Sequence, residues 1–146
     1  MSRKGIFVGS FDPFTIGHAD ILNRALPMFD SIIIGVGVNE RKQYMQSAEE
    51  RCRRIKEIYK DEPRIEVQTY GDLTVDFAHR VGARFIIKGA RTIKDFEYER
   101  EQAVINRRLG DVETLLLYAD PHYDSVSSSM VRELIHFGKD VSEFLP

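Results

Sequence analysis

Apolar and polar positions follow two alternating periods along this chain. Short runs rich in β-branched and aromatic residues lie at Gly5 to Gly9, Ser31 to Val38, Arg64 to Tyr70, Arg84 to Lys88 and Glu113 to Tyr118. The second and fourth, SIIIGVGV and RFIIK, are nearly continuous apolar runs, the pattern of strands covered on both faces in a parallel sheet. Helical periods fill the intervals. Ile21, Leu22, Ala25, Leu26 and Phe29 form one stripe, interrupted by Pro27. An interior proline costs ~3 kcal/mol, so that helix is expected to kink or stop there. Ser47 to Glu50 reads as a capping box ahead of Cys52, Ile55 and Ile58 or Tyr59. Leu73 to Val81 reads as a shorter helix closed by Gly82, Ile93 to Leu109 as a long and strongly charged one, and Met130 to Phe137 as the last clear helix, stopped by Gly138. Asp140 to Glu143 is suited to cap one further turn.

A strand followed by a helix, five times over, implies right-handed crossovers. The expected fold is α/β and doubly wound, a Rossmann-like five-stranded parallel sheet with helices on both faces, built as a single domain over 1–146. The sequence holds no internal repeat, linker or low-complexity tract. Ligands of such folds bind beyond the carboxyl ends of the strands, near the point where strand order reverses.

Composition narrows the class. The chain has 146 residues, 42% hydrophobic and 30% charged, as expected of a soluble domain with one core. No apolar run approaches the ~18 residues of a membrane span, and the apolar stretch after Met-Ser-Arg-Lys is too short for a signal peptide. One cysteine, Cys52, excludes an intramolecular disulfide and suits a reducing compartment, so a cytoplasmic location is expected. The formal net charge is −2 with no basic block, which argues against a nucleic-acid partner. An anion bound here must be met by a few cations gathered locally.

The segments after the strands hold such cations. GSFDPFTIGH, Gly9 to His18, follows the first strand. Thr15 is a good N-cap, which leaves first-turn amides facing the sheet edge, where they favour an anion. Each of these residues singly also fits a capped turn with packing glycines, but a plain βα turn needs only two to six residues. The segment is neither a Walker loop nor a Gly-x-Gly-x-x-Gly turn. Asn39-Glu40-Arg41-Lys42-Gln43 follows the second strand and places Lys42 near the edge. Lys88-Gly89-Ala90-Arg91 follows the fourth strand: a glycine flanked by two cations at a strand's end reads as a phosphate clamp, and equally as a turn glycine with two surface charges. Glu99, Gln102 and Asn106 share one face of the long helix, a polar stripe of the kind that is ordinarily just solvated. In Ser127-Ser128-Ser129-Met130-Val131-Arg132 any serine can cap the last helix. Arg132 in its first turn opposes the helix dipole, a conflict that an external anion would resolve.

Other chemistries find no support. The four histidines are scattered, cysteines are unpaired and no Gly-x-Ser-x-Gly elbow occurs, so neither a protein-built metal site nor a serine nucleophile is expected. Cys52 lies on an apolar stripe and reads as core. Two helix N-termini with His18, Lys42, Lys88, Arg91 and Arg132 would neutralise a polyphosphate, as phosphoryl or nucleotidyl transfer requires.

GSFDPFTIGH resembles the Gly-(Thr/Ser)-Phe-Asp-Pro-x-Thr-x-Gly-His signature of the phosphopantetheine adenylyltransferases. KGARTIKDFEYE and SVSSSMVRE resemble that family's two other blocks, in the same order and at similar spacing. The resemblance runs through VSEFLP and so covers essentially the whole chain. Thr-x-Gly-His alone marks only the wider nucleotidyltransferase superfamily.

The resemblance implies transfer of AMP from ATP to 4′-phosphopantetheine, giving dephospho-coenzyme A and pyrophosphate without a covalent intermediate. It implies catalytic roles for His18, Ser10 and Lys42. It places the acceptor at Ser10, Lys42, Thr74 and Lys88. It places ATP against Ser10, Phe11, His18, Gly89, Ala90, Arg91 and Glu99, with Tyr123, Asp124, Ser125, Val126, Ser127, Ser128 and Ser129 closing over it. Mg²⁺ is expected to arrive with ATP, with no protein ligand assigned. A homohexamer inhibited by coenzyme A is also implied, with neither nucleic acid nor membrane as partner. The chain departs from the pattern in three places. Lys88 stands where Arg is usual and so loses the bidentate fork. Ser10 stands where Thr is common and keeps the hydroxyl. The sequence ends after FLP, where relatives usually continue into another helix. A nucleotidyltransferase for nicotinate mononucleotide or glycerol 3-phosphate, a non-catalytic nucleotide-binding module and a fragment of an aminoacyl-tRNA synthetase are the rival readings. DFEYE and Lys42 argue against the first, and length and charge against the last.

Overall fold

Period-two alternation sorts the strand residues onto two faces of one sheet. The structure is a computed structural model and describes residues 2–146. Strands β1 (Lys4–Gly9), β2 (Ser31–Gly37), β3 (Ile65–Tyr70), β4 (Phe85–Ala90) and β5 (Glu113–Tyr118) pair in parallel in the order β3-β2-β1-β4-β5. Phe7, Ile32, Ile34, Val36, Val67 and Ile87 face one way and pack against helices α1 (Ile16–Ala25) and α2 (Ala48–Ile58). Ile6, Val8, Ile33 and Ile86 face the other way, against α3 (Thr74–Val81). Each side chain buried this way contributes about 1.5–3 kcal/mol. The expected doubly wound sheet is therefore present. Helices α4 (Ile93–Gly110) and α5 (Ser128–His136) complete the chain order.

Most boundaries have a local cause. The side chains of Thr15, Ser47, Thr92 and Ser127 each cap a helix by accepting an amide of its first turn. Pro27 lacks the amide that would continue α1, so the helix ends at Ala25 and the chain tightens into a 3₁₀ turn at Leu26–Met28. Gly82 closes α3 at φ +77°, a conformation that costs glycine nothing. Cys52 is buried in the core as expected.

Two local expectations change. The Ser47–Glu50 capping box is half made, because the Glu50 carboxylate turns to Arg53 and Arg54 instead of the cap amide. The fourth strand runs past Lys88: Gly89 and Ala90 are not a turn but continue β4, paired with Leu117 and Tyr118, as Lys88 is with Leu116. Gly89 is needed there because α1 crosses it: a Cβ would stand 3.0 Å from the Ile21 side chain.

Topology decides where a ligand can sit. β2 and β3 lie on one side of β1, and β4 and β5 on the other, so strand order reverses between β1 and β4. A crevice opens beyond their carboxyl ends.

The core packs closely over Gly35 in β2. A Cβ there would lie 2.5 Å from a Phe77 ring carbon and 3.0 Å from a Val8 methyl. Gly35→Ala is therefore expected to destabilise the protein by about 1–3 kcal/mol, read as a lower urea midpoint at unchanged m-value.

Candidate active site

The loop from β1 into α1 is itself buried. Asp12 is 3% and Thr15 1% exposed, with Phe11, Pro13 and Phe14 equally enclosed. Buried backbone carbonyls need donors, and distant helices supply them. Arg51 of α2 donates to Ser10 O (2.7 Å) and Arg132 of α5 to Asp12 O (2.8 Å). The Ser128 hydroxyl donates to Pro13 O (2.7 Å). The Asp12 carboxylate accepts the amides of Met45 (2.7 Å) and Gln46 (3.0 Å), which ties this loop to the one before α2.

His18 is set by the cap of its own helix. Its Nδ1 accepts the Thr15 amide at 2.9 Å, while Thr15 Oγ1 accepts the His18 amide at 3.3 Å. This is a capping box with histidine in the place of glutamate. An Nδ1 that accepts a hydrogen bond carries no proton, so the neutral ring holds its proton on Nε2. Phe11 meets the ring edge-on at 5.0 Å and Phe14 lies at 5.4 Å. Burial, reinforced by the nearby Arg91 charge, lowers the His18 pKa to about 4. At neutral pH His18 is thus an oriented, uncharged N–H donor.

That donor lines a cleft of about 330 Å³ at the strand-order reversal. The wall includes Lys88, Gly89 and Ala90 of β4, Glu99 of α4, Arg91, and the N-terminal serines of α5. Lys88 Nζ lies 3.4 Å from Glu99 Oε2, and the Glu99 side chain is only 14% exposed. Arg91 is held at the rim, its Nη1 donating to Asp124 O at 3.3 Å. The three serines divide their work. Ser127 caps α5, Ser128 holds Pro13, and Ser129 accepts from Arg132 at 3.1 Å. Two helix N-termini and three cationic or N–H-donating side chains therefore open onto one hollow. Its field favours a polyanion and stabilises charge on a phosphoryl oxygen.

The anticipated ATP-side residues Phe11, His18, Gly89, Ala90, Arg91, Glu99, Tyr123, Val126, Ser127, Ser128 and Ser129 all line this cleft. Asp124 and Ser125 are exposed in the loop beside it. Ser10 follows Gly9, a lining residue, at the end of β1. Lys42 and Thr74 lie outside its wall. Lys42 sits on an exposed turn after β2, and the Thr74 hydroxyl pairs with Tyr70 at 3.3 Å at the start of α3. Both belong to the half of the sheet's carboxyl edge beyond β1. The conflict between Arg132 and the α5 dipole is met inside the protein, by Asp12 O and Ser129 Oγ. Glu99, on a stripe that reads as solvated, is drawn into the wall by Lys88. Arg51 and the carboxylate of Asp12 had no signal in the sequence beyond their charge, because their partners are far away along the chain.

Comparison with known proteins shows the family. The profile of the cytidylyltransferase-like family matches residues 6–134. A phosphopantetheine adenylyltransferase of Bacteroides thetaiotaomicron is 53% identical over 144 residues, 99% of this chain and 95% of that protein. One from Porphyromonas gingivalis is 52% identical over 141 residues, 97% of this chain and 92% of that protein. The fold matches a bifunctional NMN adenylyltransferase/ADP ribose pyrophosphatase from Francisella tularensis with a TM-score of 0.74 at 13% identity, over 99% of this chain and 44% of that one.

The imidazole geometry has a direct readout. Nitrogen NMR at pH 7 is expected to show His18 as the Nε2–H tautomer, with a titration midpoint near 4 in place of the ordinary 6.5. A folded pKa below the unfolded value means that this group's contribution to stability is complete above pH 6.5 and is lost as pH falls towards 4. A midpoint near 6.5 would contradict the tautomer and packing described.

Proposed function

This chain belongs to the cytidylyltransferase-like family and, within it, to the phosphopantetheine adenylyltransferases, and on that premise we propose how its residues carry the reaction. It is a nucleotidyltransferase that moves the adenylyl group of ATP to 4′-phosphopantetheine, yielding dephospho-coenzyme A and pyrophosphate. In this proposal ATP occupies the cleft between β1 and β4, under the α5 N-terminus. The acceptor approaches from the β2–β3 side, where Lys42, Thr74 and the 63% exposed Leu73 offer a cation, a hydroxyl and apolar surface. The two substrates meet at the end of β1, beside Ser10 and His18.

An oxygen of the acceptor phosphate attacks the α-phosphorus. A new P–O bond forms there, the bond to the α–β bridging oxygen breaks, and its electron pair leaves with pyrophosphate. The acceptor phosphate is already anionic, so no general base is needed and no covalent enzyme intermediate arises. His18 Nε2–H donates to an α-phosphoryl oxygen as charge develops on it. Because the ring is neutral and pinned through Nδ1, the donor needs no reorganisation at that moment. Arg91 balances the remaining charge of the nucleotide phosphates, while Lys88, leaving Glu99 as the anion enters, completes the acceptor-phosphate pocket. Ser10 and Lys42 hold the attacking phosphate in line.

Mg²⁺ enters this proposal as part of the nucleotide substrate. The cleft supports that reading: its one carboxylate, Glu99, faces Lys88, and the remaining charged groups of the wall are cationic. A wall of that kind suits a metal that arrives already bound to phosphate. The same reading includes a homohexamer in the cytoplasm. It is supported by α4, which has no buried residue and exposes Ile93, Val104, Ile105 and Leu109.

The observation that carries the proposal is the convergence of His18, Lys88, Arg91 and the α5 serines on one cleft. Pyrophosphate release is expected only when ATP, Mg²⁺ and 4′-phosphopantetheine are all present. Release without the acceptor, or equal release with nicotinate mononucleotide, would refute it. His18→Ala is expected to lower kcat by about 10²–10³-fold, some 2.7–4 kcal/mol of transition-state stabilisation, with ATP affinity little changed.

A further inference from the structure

Arg51 is the largest of the fully buried side chains, at 1% exposure, and no carboxylate pairs with it among the described residues. Its Nη1 donates to two carbonyls at once, Ser10 O at 2.7 Å and Gly37 O at 3.0 Å, and its Nε donates to Gln46 O at 3.1 Å. The guanidinium lies over the Tyr44 ring, 3.9 Å from its centroid. The Tyr44 hydroxyl in turn accepts the Asn39 amide at 2.9 Å, and Asn39 O accepts the amide of Lys42 at 2.9 Å. One side chain thus reaches the carboxyl ends of β1 and β2 and, through Tyr44, the turn that carries Lys42.

A buried charge opposed only by carbonyl dipoles and a ring face is costly to desolvate, and it is kept here together with donors to three carbonyls, Ser10 O, Gly37 O and Gln46 O. What Met or Leu could not supply is the three-way fork and the charge. Both point toward the place where Ser10 and Lys42 meet the attacking phosphate. We infer that Arg51 is the positioning residue of the acceptor side: it fixes Ser10 and the Lys42 turn relative to each other and leaves a positive charge behind the edge of the sheet that the acceptor phosphate completes. This rests on the reading of that acceptor as 4′-phosphopantetheine. The role is distinct from that of His18: apart from Ser10, at the end of β1 where the two substrates meet, Arg51's partners lie on the β2 side and none is on β4.

Arg51→Lys keeps the charge but loses the planar fork. Arg51→Met removes both at similar volume. Tyr44→Phe keeps the ring under the guanidinium and removes only the acceptor for the Asn39 amide. On the full chain, steady-state kinetics would measure KM for each substrate, and calorimetry would measure ATP binding without acceptor. Arg51→Lys is expected to lower kcat/KM for 4′-phosphopantetheine by about tenfold to a hundredfold while ATP affinity stays within about threefold. Tyr44→Phe should show the same asymmetry, smaller. 4′-phosphopantetheine should raise the Tm of the wild type and not that of Arg51→Met. If Arg51→Met does not fold, the other two variants carry the comparison. Equal losses for both substrates would reduce Arg51 to a structural residue and overturn the inference, as would variants kinetically identical to wild type. A wild type inactive with 4′-phosphopantetheine would refute the acceptor reading itself, and the role of Arg51 with it; that result is read before any variant is made.

Discussion

Everything at the functional edge depends on a requirement of the backbone: a loop enclosed by protein must have a donor for each carbonyl it takes out of water. The β1–α1 loop is enclosed from Phe11 to Thr15. Its carbonyls at Ser10, Asp12 and Pro13 are served by Arg51, Arg132 and Ser128, which lie 41, 120 and 115 residues further along the chain. A buried acceptor left without its donor costs about 1–3 kcal/mol, so the docking of α2 and α5 stabilises the shape of this loop. Meeting that requirement also assembles the site. The side chains that satisfy the loop bring with them the α5 N-terminus on one side and the Lys42 turn on the other.

The same economy appears at His18. A helix N-terminus needs an acceptor for the amide of its cap residue, and here an imidazole provides it. The structural bond selects the tautomer, and the tautomer leaves Nε2–H as the donor of a ring that lines the cleft. Histidine is suited to both tasks because its two nitrogens divide them. A glutamate in that place would cap the helix equally well and would repel the phosphates.

Charge is arranged locally against the overall balance. A chain of formal net charge −2 collects Lys88, Arg91 and two helix N-termini around one cleft, while the carboxylate nearest to it, Glu99, is paired with Lys88. The pairing holds the Lys88 ammonium against the cleft wall. On the other side of β1 the buried Arg51 charge has no such ion pair among the described residues; its partners are backbone carbonyls and the Tyr44 ring. The reversal of strand order between β1 and β4 lies between the two, and it is the fold's contribution to bringing two anionic substrates together.

How much of this was legible in the sequence differs from element to element. The strands and helices were, because apolar period, capping hydroxyls and the placing of Pro27, Gly82 and Gly138 are properties of neighbouring residues. So were GSFDPFTIGH, KGARTIKDFEYE and SVSSSMVRE, whose local composition exceeds what plain turns need. The end of β4 was not: whether Gly89 and Ala90 form a turn or a strand depends on pairing with β5 and on the approach of Ile21. The partner of Arg132 was not: its misfit with the helix dipole pointed to an external anion, and the side chain instead donates to the chain's own Asp12 carbonyl. Nothing next to Arg51 in the sequence distinguishes it from the other charges of α2. What a residue does within about four positions of itself is written in its neighbourhood. What a buried donor or acceptor finds at the far end of the chain is decided only when the sheet has closed and water has been excluded.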